Sequence, residues 1–453
     1  MSVLSIRQRI RMRVKVVGAG LAGCEAAYQL AERGFDVELC EMKPEKYSPA
    51  HKYEGFAELV CSNSLKSRNV DSACGLLKEE MRRLGSIVVP AAEKTAVPAG
   101  GALAVNRKDF SDEITKIIRS HPNITVISGE VTRLPDKNAV ICTGPLTSDA
   151  LAESMSESFG KNGQFMSFFD ASAPIVSAES IDRSIVFSQS RYDKGGDDYL
   201  NCPFTKEEYE RFWNELVKAE PAELHEFDKN PNVYEGCMPV EVLAKRGIES
   251  VRYGCMKPVG LTDPRTGKRP YAAVQLRKEN AEGTMYNLVG FQTHLKFGEQ
   301  KRVFSLIPGL ENAEFVRYGV MHRNTYICSR TLLDKSFMLK GSENVFFGGQ
   351  ITGVEGYVES AASGIIAGRA LADRLMGKEP LRLPNTTMLG ALIDYVCDWT
   401  DDGYYVEFDP MGANMGILPP LEVNIRDKRE KYAALAKRAL DDLERLLKEH
   451  NKS

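Results

Sequence analysis

No apolar run in the 453-residue sequence approaches the roughly 20 residues that a membrane-spanning helix needs. The longest runs, such as Ile87 to Ala92 and Val345 to Phe347, suit single buried elements, so a membrane partner is not expected. The first thirteen residues carry Arg7, Arg9, Arg11 and Arg13 but neither an apolar core nor a small-residue cleavage site. These residues therefore do not read as a secretory signal, and a cytoplasmic location is expected. The ten cysteines form no CxxC pair and no even framework in a small domain, which argues for reduced thiols. No His/Cys pair has ligand spacing, so no metal is expected. The formal charge of −3 removes any bulk attraction to nucleic acid, leaving only local clustering to argue from.

That clustering exists. From Leu243 to Arg302 there are twelve Lys/Arg against five Asp/Glu, whereas Asp193 to Glu241 is predominantly acidic. Lys296, Arg302 and Arg323 are candidate phosphate contacts, and Tyr253, Tyr271 and Phe291 are candidate base-stacking rings. A hydrophobic content of 43% in so long a chain supports two cores rather than one. Asn385-Thr386-Thr387 matches a glycosylation sequon, but without a secretory route it reads as a polar cap for a helix from Met388 to Val396.

The β-branched run Val14 to Val17 meets Gly18-Ala19-Gly20-Leu21-Ala22-Gly23, and helical spacing follows from Cys24 to Glu32. Such a turn must be tight and must let backbone approach a pyrophosphate, with the helix N-terminus facing the phosphates. A second strand, Val37 to Cys40, ends at Glu41, where a carboxylate can accept from an adenosine ribose. This segment specifies a dinucleotide and leaves FAD and NAD both open. Some three hundred residues later, Asn344 to Phe347 runs into Gly348-Gly349-Gln350, Gly353 and a small-residue helix. That arrangement resembles the second flavin-contacting motif of two-dinucleotide-fold flavoproteins, which favours FAD. Such enzymes broadly carry Asp where Gln350 stands.

The expected fold is therefore α/β, a two-dinucleotide-fold-type FAD-binding Rossmann-like domain with an inserted α+β domain. Its expected limits are 13–153 and 296–453 for the FAD-binding parts and 154–295 for the insertion, which has its own helix at Thr205 to Ala219. Ile425 to Lys448 reads as a packed terminal helix.

Two cysteines lie in polar, Gly- or Pro-containing surroundings, Cys61 in Cys61-Ser62-Asn63-Ser64-Leu65-Lys66-Ser67 and Cys237 in Glu235-Gly236-Cys237-Met238-Pro239. With these stretches, Ala104-Val105-Asn106-Arg107, Ser190 to Gly196 and Tyr318 to Thr325, the chain resembles the folate- and FAD-dependent tRNA (uracil-5-)-methyltransferases from about Val14 to about Leu421. The resemblance implies tRNA and methylenetetrahydrofolate as substrates, FAD as cofactor and NADH or NADPH as external reductant, with no obligate protein partner. It implies Cys237 as the nucleophile at uracil C6 and Cys61 as general base or protecting partner, with the two roles open to exchange. Arg107, Gly349, Gln350 and Gly353 join Gly18, Gly20, Gly23 and Glu41 as the expected cofactor contacts. Related readings are an FAD and folate enzyme of wobble uridines, argued against by the expectation that this chain ends too early, and an NAD(P)H-dependent oxidoreductase of small molecules.

Overall fold

The computed structural model describes residues 12–159, 165–193, 198–222, 238–280, 282–397 and 410–450. Cys237 lies outside them, as do the side chains of Met321, His322 and Arg323.

A five-stranded parallel sheet organises the first core, with β1 (Arg13–Val17) at its centre. Its order is β16 (Glu343–Phe347), β7 (Lys137–Ile141), β1, β2 (Asp36–Glu41) and β6 (Ile124–Ser128). Both faces are covered, so the strands read as near-continuous apolar runs rather than alternating ones. Helix α1 (Leu21–Ala31) is buried along almost its whole length. It packs against α7 (Tyr357–Leu375), where small residues permit close approach. A Cβ on Gly364 would stand 2.1 Å from Ala22 O, and one on Gly368 2.7 Å from Ala26 O. A small antiparallel sheet, β3 (Ser64–Ser67), β5 (Ala102–Val105) and β4 (Ala96–Val97), flanks this core.

Helices α2 (Ala73–Arg83), α3 (Val88–Lys94), α4 (Arg107–Ser120) and α8 (Met388–Cys397) complete the layer around it. Two buried carboxylates cap helices other than their own. Glu25 accepts from Ile87 N and Val88 N at the start of α3, and Glu80 from Met388 N and Leu389 N at the start of α8. Thr387 adds the expected local cap, its hydroxyl accepting from Gly390 N at 3.0 Å. The terminal helix α9 (Lys428–His450) buries Leu435, Ala436, Ala439 and Leu443 at helical spacing.

The second core lies on one face of a six-stranded sheet. The strand order is β10 (Phe187–Ser188), β11 (Tyr199–Phe204), β12 (Ala272–Lys278), β13 (Met285–Leu288), β9 (Ile175–Ser177) and β14 (Phe315–Arg317). β14 lies beyond the Leu295 limit expected from the sequence. An antiparallel pair, β8 (Phe165–Ala171) with β15 (Met321–Ile327), joins this unit to the first. Alternation gives the sheet two unlike faces. Leu200, Cys202, Leu276 and Leu288 face the core under α5 (Lys206–Lys218), where Thr205 and Glu208 form a capping box and Tyr209, Phe212 and Leu216 are buried. Asn201, Gln275, Arg277 and Asn287 occupy the opposite parity and are buried too.

Candidate active site

A cleft of about 1150 Å³, counting its open mouth, runs across the carboxyl ends of the parallel strands, where ligands bind in open α/β sheets. Gly18 follows β1 with φ +96°, and a Cβ there would meet Cys142 O at 2.6 Å. At Gly23 a Cβ would stand 1.7 Å from Gly18 O, so that glycine lets α1 pack under the turn. Gly20 differs, because its Cβ direction is open and it lines the cleft. Glu41 is buried beside it, accepting from Ala19 N at 2.8 Å and Lys43 N at 3.0 Å. A carboxylate has about four acceptor positions, which leaves capacity for a hydroxyl.

Gly349 and Gln350 close the far wall. Gly349 has φ +86°, and its N–H donates to Ser363 Oγ at 2.7 Å. The Gln350 amide is turned to Glu355. Gly353 ends this short turn in the left-handed region and accepts from Met411 N, outside the cleft wall. Arg107 also lies outside the wall: its Nε pairs with Glu279 Oε2 at 2.8 Å and its Nη1 donates to Leu59 O.

Val60 and Tyr357 line the cleft, and behind them stands Cys61. The Tyr357 hydroxyl lies 2.9 Å from Cys61 Sγ and accepts from Cys61 N at 2.8 Å and Ser62 N at 3.3 Å. Burial, and next the neighbouring thiol, push this phenol well above its ordinary pKa, so it remains protonated. Sequence reasoning passed over Tyr357, although an aromatic at the first turn of a helix entered through Gly356 was the available signal.

The candidate RNA face is mixed. Lys296 Nζ meets Glu220 Oε2 at 2.8 Å, and Arg302 is held by Glu299 and Glu215. Of the expected stacking rings, Tyr253 is 66% exposed and Tyr271 lies under the Arg252 guanidinium at 4.0 Å. Phe291 is a correction: it is fully buried between Phe212 and Phe304, because the second core needs a large ring at that point. Next to it the structure shows an aromatic ladder that the sequence did not suggest. Phe297, 55% exposed at the start of α6 (Phe297–Phe304), stacks on Tyr318, which stacks on Phe315, with centroids 4.8 and 5.3 Å apart. Arg323 contributes backbone to β15, opposite Phe169.

The profile of the family described as glucose inhibited division protein A matches residues 13–379. A protein of Acetivibrio thermocellus named methylenetetrahydrofolate–tRNA-(uracil-5-)-methyltransferase TrmFO is 56% identical over 438 residues, 96% of this chain and 98% of that one. The chain belongs to this family. A protein of the same name from Staphylococcus aureus strain Newman is 54% identical over 435 residues, 96% and 99% of the two chains. The family fold extends to Aquifex aeolicus GidA, which superposes with a TM-score of 0.66 at 17% identity, over 97% of this chain and 76% of that one. Among the described residues no helix is long and apolar enough to cross a membrane.

Proposed function

We propose that this enzyme methylates C5 of a T-loop uridine in tRNA, with methylenetetrahydrofolate as carbon donor, FAD as cofactor, and NADH or NADPH as reductant in the cytoplasm. The observation that carries the reading is Cys61 standing against Tyr357 at one end of a dinucleotide cleft. The residues present fit FAD. The open Cβ direction of Gly20 admits a pyrophosphate, Glu41 has acceptor capacity for a ribose, and Gly349 with Gln350 would hold the ribitol. When bound, FAD supplies the carrier for the one-carbon unit and the reducing electrons.

Uracil C5 is a poor nucleophile until a group adds to C6. In this proposal the Cys237 thiolate adds there, leaving an enolate whose C5 attacks the one-carbon unit. Cys61 then takes the proton from C5 as the bond between the one-carbon unit and its carrier breaks, and hydride delivered to the resulting exocyclic methylene, with loss of Cys237 from C6, would give the methyl group and restore the ring. The hydroxyl of Tyr357 fixes the Cys61 backbone while remaining a donor. Lys296, Arg302 and Arg323 would contact phosphates, Lys296 by exchanging the exposed Glu220, whose pairing contributes little, and Arg302 by exchanging the half-buried Glu299 and Glu215.

The decisive experiment is transfer of labelled carbon from methylenetetrahydrofolate to unmodified tRNA with NADPH, using Cys61→Ala and Cys237→Ala proteins as controls. Label in 5-methyluridine that disappears in both variants, with FAD retained, is the expected result. FAD-loaded parent protein that transfers nothing would refute the proposal.

A further inference from the structure

The loop that carries Cys61 is held at almost every polar group by residues distant in sequence. Arg107 Nη1 donates to Leu59 O at 2.8 Å, and Arg317 Nη2 donates to Val60 O. Arg277 donates from Nε to Asn63 Oδ1 and from Nη2 to Ser62 Oγ, both at 3.0 Å. Asn63 in turn donates to Val105 O and Lys278 O, at 3.1 and 3.0 Å. Arg107 opens α4 beside the nucleotide-binding sheet, whereas Arg277 and Arg317 stand on β12 and β14 of the second sheet. Two of the three guanidiniums therefore reach this loop only when the second sheet is seated against it.

The charges around the loop are unbalanced. Glu279 pairs directly with Arg107 and also acts electrostatically on Arg277 and Arg317. Arg107 from α4 and Arg317 from β14, bound to the carbonyls of Leu59 and Val60, act electrostatically on the thiol, and the protonated Tyr357 hydroxyl from α7 stands 2.9 Å from its sulfur. Arg277 stands against the next two residues of the loop. Glu58, on the loop's own approach, is turned to Lys43 and to the N–H groups of Lys52 and Tyr53. Burial and repulsion from Arg107 lower the Arg317 pKa, while Cys61 acts in the opposite direction. Three cations against one carboxylate favour negative charge on whatever acceptor they surround, and the titratable acceptor there is the thiol.

We propose that Arg107, Arg277 and Arg317 form a clamp across the two sheets that positions Cys61 and biases its sulfur toward thiolate. The base is thus armed by seating of the second sheet rather than by its own sequence neighbours. The catalytic meaning of the clamp rests on the role proposed above for Cys61; its physical existence does not.

The test follows the pH profile of iodoacetamide alkylation at Cys61 in the full-length FAD-loaded protein, read by mass on the Cys61 peptide, with circular dichroism to check folding. Arg317→Gln removes a cation and raises the alkylation midpoint by about one pH unit, whereas Arg317→Lys stays near the parent. Glu279→Gln removes the opposing carboxylate and lowers the midpoint. Opposite shifts support the clamp; an unmoved midpoint in either folded Gln variant, or shifts in the same direction, overturns it. If Arg317→Gln does not fold, Glu279→Gln decides alone, a downward shift supporting the clamp and any other result overturning it. Opposite shifts in a protein whose parent transfers no carbon to tRNA would refute the proposed function and leave the clamp standing.

Discussion

At the scale of single residues, Tyr357 shows how much one hydroxyl organises. It serves the backbone N–H groups of Cys61 and Ser62 and touches the thiol. Tyr357→Phe leaves those N–H groups without their acceptor and should cost about 1–3 kcal/mol of stability in denaturant titration. Methyl transfer should fall while FAD absorbance persists, because the ring remains. Phe297 makes the contrasting case of a group with an exposed face and a stacked back. Phe297→Ala should weaken tRNA binding by about 1–3 kcal/mol in a filter or fluorescence titration, with an unchanged salt slope, since stacking involves no counterion release.

At the scale of elements, the crossing of α1 with α7 unites two halves of the nucleotide site encoded about three hundred residues apart. Gly364→Ala forces a methyl group against Ala22 O and should lower stability by about 1–3 kcal/mol, with a parallel loss of FAD affinity in a release assay. Strand, turn and helix at Val14 to Ala31 were legible in the sequence because β-branched runs, glycine positions and helical spacing are local signals. The same holds for α5, whose capping box and buried stripe are set by residues three or four apart along the chain. The loop clamp was illegible, because its three guanidiniums come from three elements and no periodicity links Leu59 to Arg107 or Val60 to Arg317. Phe291 was misread for a related reason: an aromatic near basic residues looks like a stacking ring until the sheet that buries it is known. The limit at Leu295 fell early because β14 is only three residues long.

The molecule as a whole should respond to pH through its two buried capping carboxylates. Burial raises Glu25 and Glu80 from 4.5 to about 7, against the lowering effect of the N–H groups they cap. Between those values the folded state holds protons that the unfolded chain releases. Their contribution to stability is therefore fully present below pH 4.5 and is lost as pH rises through about 7. Glu80→Gln should weaken this dependence, so that the melting temperature of the variant relative to the parent rises between pH 5 and pH 8 in scanning calorimetry.

The order of strands in the parallel sheet also sets a timetable. β1 and β2 leave the ribosome early, but β16 and the Gly349 turn that close the cleft are made more than three hundred residues later. At roughly 5–20 residues per second the interval lasts roughly 15–65 s, during which the glycine turn is present and its far wall is not. Cofactor capture is thus deferred until the Gly349 turn has been made, and a nascent chain halted before Glu343 should emerge colourless.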